Sequence, residues 1–239
     1  MSKGAAVTDA DISANLAALQ HRVLEACRAH NRKTDDVDVL LATKTVPAER
    51  IALAIHAGGR IIGENRVQEL AEKDEVLAKL PCERHFIGHL QLNKVNHVLR
   101  YVSCVQSVDR IEVADRLQQR LETLDRTLQV LIQVNTSGES SKFGTTPDAA
   151  LDLVRDVAKH DRLYVRGFMT IGLNSTNREL VRASYRRLRQ VRDWAQDAAG
   201  RELSVLSMGM SSDLELAIAE GATMIRVGSA VFGHRWSAT

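Results

Sequence analysis

Lys44 ends an apolar, β-branched run, VDVLLATKTVP over residues 37–47, and Thr45 and Pro47 follow it closely. A run of this kind reads as a buried strand, and proline is well suited to the first turn of a helix that follows. The lysine is therefore delivered to the carboxyl end of the strand. Desolvation there disfavours the charged amine and draws its pKa down toward the range in which it is a nucleophile. The chemistry open to such an amine is a Schiff base with an aldehyde. A single lysine at a strand end is more often a solvated terminus or half of an ion pair, so the remaining chain has to decide.

A second group of residues lies near the far end of the chain. GMSSD, residues 209–213, puts Ser211 and Ser212 where a helix is expected to start, and free backbone N–H groups with the helix dipole favour an anion there. RVGSAVFG, residues 226–233, adds Gly228, which permits close backbone approach, and the hydroxyl of Ser229. Either piece alone is equally an ordinary N-cap or glycine turn.

The elements that must carry these residues follow one rhythm. Residues 8–31 read as an amphipathic helix, with Thr8 and Asp11 in capping-box spacing and Ile12, Leu16, Leu19, Val23 and Cys27 on one face. After the Lys44 strand, strand-like segments are expected at 60–64, 84–88, 101–108, 128–134, 165–171, 203–208 and 223–227, with helical patterns between them. The helices that matter most below are expected from Pro47, from Asn65, over 180–199 and over 211–220. Eight strands alternating with helices, and a helix before the first, predict a single (β/α)8 TIM barrel in one domain spanning 1–239. An open doubly wound sheet competes less well, because no G-x-G-x-x-G follows the first strand. In a barrel the strand ends share one face. Here they carry Lys44, Glu64 and Asn65, His85 and Gly88, Asn135 and Thr136, Met169 and Thr170, Gly209 and Ser211, and Arg226, Gly228 and Ser229. Strands seven and eight being neighbours, the two anion-favouring pieces meet at one corner, a habitual phosphate site of this fold. An amine and a phosphate cradle at one mouth describe a site for a phosphorylated aldehyde, and pyridoxal phosphate (PLP) has both handles.

Composition narrows the partners. The 239 residues carry 32 basic and 30 acidic side chains, a net charge of +2, which gives no reason to expect a nucleic acid or an anionic membrane. Cys27, Cys82 and Cys104 are an odd number without metal-type spacing, which argues against a disulfide framework and suits a reducing compartment. With no signal-like segment or membrane-length apolar run, a cytoplasmic location is expected. A monomer is the default.

The strings LLATKTVP, IIGENRVQE, HFIGHLQLNK, VNTSGESSKFG, GFMTIG and LSMGMSSDLELAIAEGATMIRVGSAVFG occur in this order between Val37 and Gly233. In these the chain resembles the pyridoxal phosphate homeostasis protein family, built on the barrel of alanine racemase, the type III fold of PLP proteins. The resemblance implies that Lys44 holds PLP as an internal aldimine, that Ser211, Gly228 and Ser229 bind its phosphate, that Arg226 faces the pyridine nitrogen, and that Asn65 sits beside the ring. It also implies a role in storing, carrying or buffering the cofactor, with apo-PLP enzymes as the acceptors a carrier would serve. A permanently charged arginine near the ring nitrogen discourages its protonation, so carbanion chemistry is weakly promoted. The chain departs from the family pattern at Arg84, where an aromatic residue often precedes HFIG, and in a short loop over 173–177.

Other residues are weighed more plainly. Lys142 is a second amine near the cofactor or a solvated loop residue, and Lys94 is structural or on the rim. His85 reads as a hydrogen-bonded core residue without a metal-like partner. Arg182, Arg186 and Arg189 read as a solvated helix face rather than a docking surface. Met208 and Met210 are expected to pack around the ring or the mouth. The main alternative to a carrier is a PLP-dependent amino-acid racemase. That reaction needs a second base, and Tyr101, Tyr164 and Tyr185 are expected to lie away from strand ends. A cofactor-free Schiff-base aldolase would need a general acid near Lys44, and no carboxylate follows it until Glu49.

Overall fold

Strands that are apolar on both faces need cover on both, and a closed barrel ringed by helices supplies it. The computed structural model, which describes residues 8–233, shows this closure. Strands β1 (Asp38–Ala42), β2 (Ile61–Glu64), β3 (Glu83–Phe86), β4 (Cys104–Val108), β5 (Leu128–Gln133), β6 (Leu163–Met169), β7 (Val205–Ser207) and β8 (Met224–Val227) pair in parallel in chain order. β1 closes the ring on β8, with Leu40 in register with Arg226.

Helix α1 (Asp9–Arg28) precedes the barrel. Outside the strands run α2 (Ala48–His56), α3 (Val67–Leu77), α4 (Val95–Val98), α5 (Ile111–Leu124), α6 (Ala150–Val157), α7 (Arg178–Ala199) and α8 (Leu214–Ala219), and α9 (Ser229–Phe232) follows β8. One large apolar shell lies between strands and helices, while Leu40, Ile61 and Met224, and separately Cys104, Leu131 and Met169, fill the barrel interior. In α1 the carboxylate of Asp11 accepts the Thr8 N–H and hydroxyl, each at 2.7 Å, and Ile12, Leu16, Leu19, Val23 and Cys27 are buried against the barrel. Each of these larger apolar chains contributes about 1.5–3 kcal/mol, enough to hold α1 against α2, α8 and α9.

Three expectations need correcting. β1 ends at Ala42, two residues before Lys44, because the chain turns at Thr43. The helix expected from Ser211 starts at Leu214, since the Oδ1 of Asp213 accepts the Met210 N–H at 2.6 Å and closes a separate turn over 210–213. The glycine turn after β8 opens a short helix, α9, with Gly228 as its N-cap. No helix among the described residues is long and apolar enough to cross a membrane.

Candidate active-site cavity

The β1 to α2 connection is a tight turn in which Thr43 O accepts the Val46 N–H at 3.0 Å, and Lys44 takes the first central position. Thr45, at the second, has φ +63°. Such turns usually place glycine there, and a β-branched residue in the left-handed region is strained. The surroundings hold it in place: Glu69 Oε2 accepts the Thr45 N–H at 2.6 Å, and Lys73 Nζ donates to Thr43 O at 2.9 Å. Lys44 is half-buried, rather than enclosed at a strand end.

At the neighbouring corner, at the end of β8, Gly228 O accepts the Val231 and Phe232 N–H groups at 3.0 and 2.9 Å. The Ser229 and Ala230 N–H groups therefore precede the first hydrogen bond of α9 and face outward from its start. Gly228 is required by close approach, because a Cβ would lie 2.8 Å from Ala42 O. Helix α1 supports this corner: Asn15 Nδ2 donates to Val231 O at 3.1 Å, and Arg22 Nη2 donates to Ser211 O at 3.2 Å while pairing with Glu215.

Between the two corners lies a cavity of 790 Å³, within the range of small-molecule sites. Lys44, Asn65, Ser211, Arg226, Gly228 and Ser229, all singled out from the sequence, line it together. Gly88 packs so tightly on Asn65 that a Cβ would come within 2.1 Å of Asn65 O, which fixes that residue's place. The anion-favouring N–H groups belong to α9 rather than to the helix after Ser211; Ser211 and Ser212 approach from the preceding turn.

Arg226 is buried, and its fork is aimed by Nη1 donating to Ser207 Oγ at 2.9 Å and Nη2 to Thr170 O at 2.7 Å. Burial lowers its pKa from the usual arginine value. The Ser207 hydroxyl donates to Gln106 Oε1 at 2.7 Å, and Gln106 Nε2 lies 2.8 Å from His85 Nδ1, so His85 is the hydrogen-bonded core residue expected. Behind the Lys44 turn, burial raises the Glu64 carboxyl pKa against the opposing hydrogen bonds of Lys73 and Thr43. For Glu69 burial also acts upward, but Lys73 and the Thr45 N–H outweigh it and the carboxyl falls below its ordinary range.

Several cavity residues escaped the sequence reading. Ile87 and Ile171 supply apolar wall beside Met169 and Met210, which the sequence had placed at the mouth, and Arg50 reaches the cavity from the first turn of α2, where it also pairs with Asp9 at 3.3 Å. Met210 lines the cavity as expected, but Met208 is buried in the surrounding shell. Lys142 ties the 135–145 loop to the segment after β6, with Nζ 2.7 Å from Glu139 Oε1 and 2.8 Å from Gly172 O, so it is not a solvated loop residue. Lys94 ends a one-turn helix over Leu92–Lys94 and does not line the cavity. Arg182, Arg186 and Arg189 are not a solvated face: all three converge on the buried Glu220. Tyr185 does not stay clear of the strand ends, for its ring packs beside Gly172 just after β6, where burial and the Asp213 carboxylate push the phenol pKa up.

The profile of the alanine racemase N-terminal domain family matches residues 14–235. The chain is 40% identical over 220 residues to the pyridoxal phosphate homeostasis protein of Aquifex aeolicus, covering 92% of this chain and 96% of that one. The chain belongs to that family. Among solved structures, PipY of Synechococcus elongatus with PLP bound is 31% identical at a TM-score of 0.82, over 93% of this chain and all of that one. Alanine racemase of Clostridium difficile, 14% identical at a TM-score of 0.73, covers 92% of this chain and 57% of its own, and shares the barrel. As a homeostasis-family member, this chain carries the racemase-type barrel with a cavity at the carboxyl ends of its strands.

Proposed function

We propose that this protein binds PLP in the 790 Å³ cavity, as a Schiff base with Lys44, and serves in the cytoplasm as a store, carrier or buffer of the cofactor. The observation that carries the reading is the lining of one cavity by an amine and, at the next corner of the barrel mouth, by an anion corner built from Ser211, Gly228 and Ser229. The donor set fits the group: an amine for the aldehyde, hydroxyls and helix-start N–H groups for the phosphate, apolar wall from Ile87, Met169 and Ile171 for the ring, and Asn65 beside it. The relative solved with PLP bound supports PLP as the ligand.

Bound, the cofactor supplies an aldehyde and a ring that can accept electron density. Lys44 would hold the aldehyde end of the cofactor, as the amine of the proposed Schiff base. Arg226, held by Ser207 and Thr170, would lie toward the ring nitrogen, where a permanently charged, donor-only side chain would disfavour its protonation and leave the ring a weak electron sink. We assign the chain a holding role without racemase turnover, acting as a single monomeric unit, with apo-PLP enzymes as acceptors.

Purified protein given PLP is expected to show a visible imine band that borohydride bleaches, leaving the pyridoxyl group attached to residue 44, and that Lys44→Ala abolishes. No band, or a band unaffected by the substitution, refutes the assignment. Sustained racemisation of added alanine or other amino acids would replace the carrier by a racemase.

A further inference from the structure

The buried ionic cluster behind the cavity does something that the ligand-lining residues do not. Lys73 Nζ has three N–H donors. They go to Glu64 Oε1 at 2.5 Å, to Glu69 Oε2 at 2.9 Å and to Thr43 O at 2.9 Å. The same Glu69 oxygen accepts the Thr45 N–H at 2.6 Å, and the Thr43 hydroxyl donates to Glu64 Oε1 at 2.6 Å. One ammonium thus grips the carbonyl before Lys44 directly and, through Glu69, the N–H after it.

Such a triad is a poor source of net stability, because desolvation of the ions offsets much of their attraction. What it does supply is direction. Thr45 at φ +63° returns to the extended or right-handed region unless its neighbours over-determine it. If it did so, the turn that presents Lys44 to the cavity would open.

We infer that Lys73, with Glu69, is a positioning residue for Lys44: the clamp on the two flanking peptide groups holds the strained turn that keeps the reactive amine in the cavity. This rests on the reading of Lys44 as the PLP-binding amine. Glu64 anchors the ammonium from β2, and the i, i+4 spacing of Glu69 and Lys73 on α3 puts both on the face turned toward the β1 to α2 connection.

The test uses the full chain, titrated with PLP and followed by the visible band, beside amide hydrogen exchange of ligand-free protein. Lys73→Met is expected to weaken PLP binding about ten- to a hundredfold and to speed exchange at the Thr45 N–H. Glycine accepts a positive φ without strain, so in a Thr45→Gly background the same Lys73→Met change should cost less than about threefold. A general loss of structure would not be relieved in that way. Should Lys73→Met fail to fold, Glu69→Ala removes only the Thr45 arm of the clamp, and must still speed Thr45 exchange and weaken binding. Unchanged binding and exchange in the folded variants, or an equal penalty in both backgrounds, overturns the inference. A wild-type protein that forms no imine sinks the assignment of Lys44 instead, and the exchange result in ligand-free protein still decides whether the clamp holds the turn.

Discussion

Glu220→Gln isolates the electrostatics that dock α7 onto α8. The carboxylate is 2% exposed; Arg182 Nε and Arg186 Nη2 donate to Oε1 at 2.8 and 3.0 Å, and Arg189 Nη1 lies 3.3 Å from Oε2. Glutamine keeps the volume and one acceptor oxygen but leaves three guanidinium groups without their counter-charge. Breaking a buried ion pair from one side costs about 3–5 kcal/mol. Here the arginine side chains are 36–42% exposed, and solvent screens them. The expected loss is therefore smaller, about 2 kcal/mol at neutral pH, or about 4–8 °C in Tm for a chain of this size. The pH dependence sharpens the test. Burial acts to raise the Glu220 pKa, but the hydrogen bonds from Arg186 and Arg182 and the charges of Arg186 and Arg189 bring it below the ordinary 4.5. A carboxyl depressed in the folded state adds stability that is complete above its unfolded pKa and lost as pH falls through the folded one. Urea unfolding of the ligand-free wild type and variant should thus show a constant gap from pH 7 down to about 5, closing below about 4.5. A gap under about 0.5 kcal/mol at pH 7, or one that widens on acidification, would refute the reasoning.

Other outcomes follow from single contacts. Gly88→Ala drives a methyl into Asn65 O, so PLP affinity should fall at least about tenfold by equilibrium titration while the protein remains folded by circular dichroism. Arg22→Met removes a half-exposed ion pair together with the brace on Ser211 O; we expect under about 1 kcal/mol of stability lost, yet weaker inhibition of PLP binding by inorganic phosphate. Leu16→Ala, at a position 2% exposed on α1, should cost about 2–5 kcal/mol in urea unfolding. Cys27 and Cys104 are buried thiols whose pKa burial raises, so iodoacetamide at pH 8 should leave both unmodified in native protein and label them only in denaturant.

The alternation of apolar runs and amphipathic helices was sufficient to name the barrel, because each pattern reports which faces of its own element are buried. The same local logic found Lys44 after β1 and the Gly228–Ser229 pair after β8, and barrel closure then made them neighbours. Local patterns say nothing about what an element meets across the fold. Arg182, Arg186 and Arg189 read as solvated until α8 brought Glu220 beneath them, and nothing in the sequence singled out Glu69 and Lys73 on α3, which β2 and the Lys44 turn enclose. Arg50, Ile87 and Ile171 carried no mark of the cavity at all, since only their arrival from separate elements defines it. The delayed start of α8 at Leu214 and the extra α9 turn were settled by two local contests that propensity does not resolve: the Asp213 carboxylate capturing the Met210 N–H, and Gly228 O accepting two N–H groups beyond the strand. The chemistry was legible because residue types limit it; its geometry was not, because long-range packing chooses among conformations that lie close in free energy.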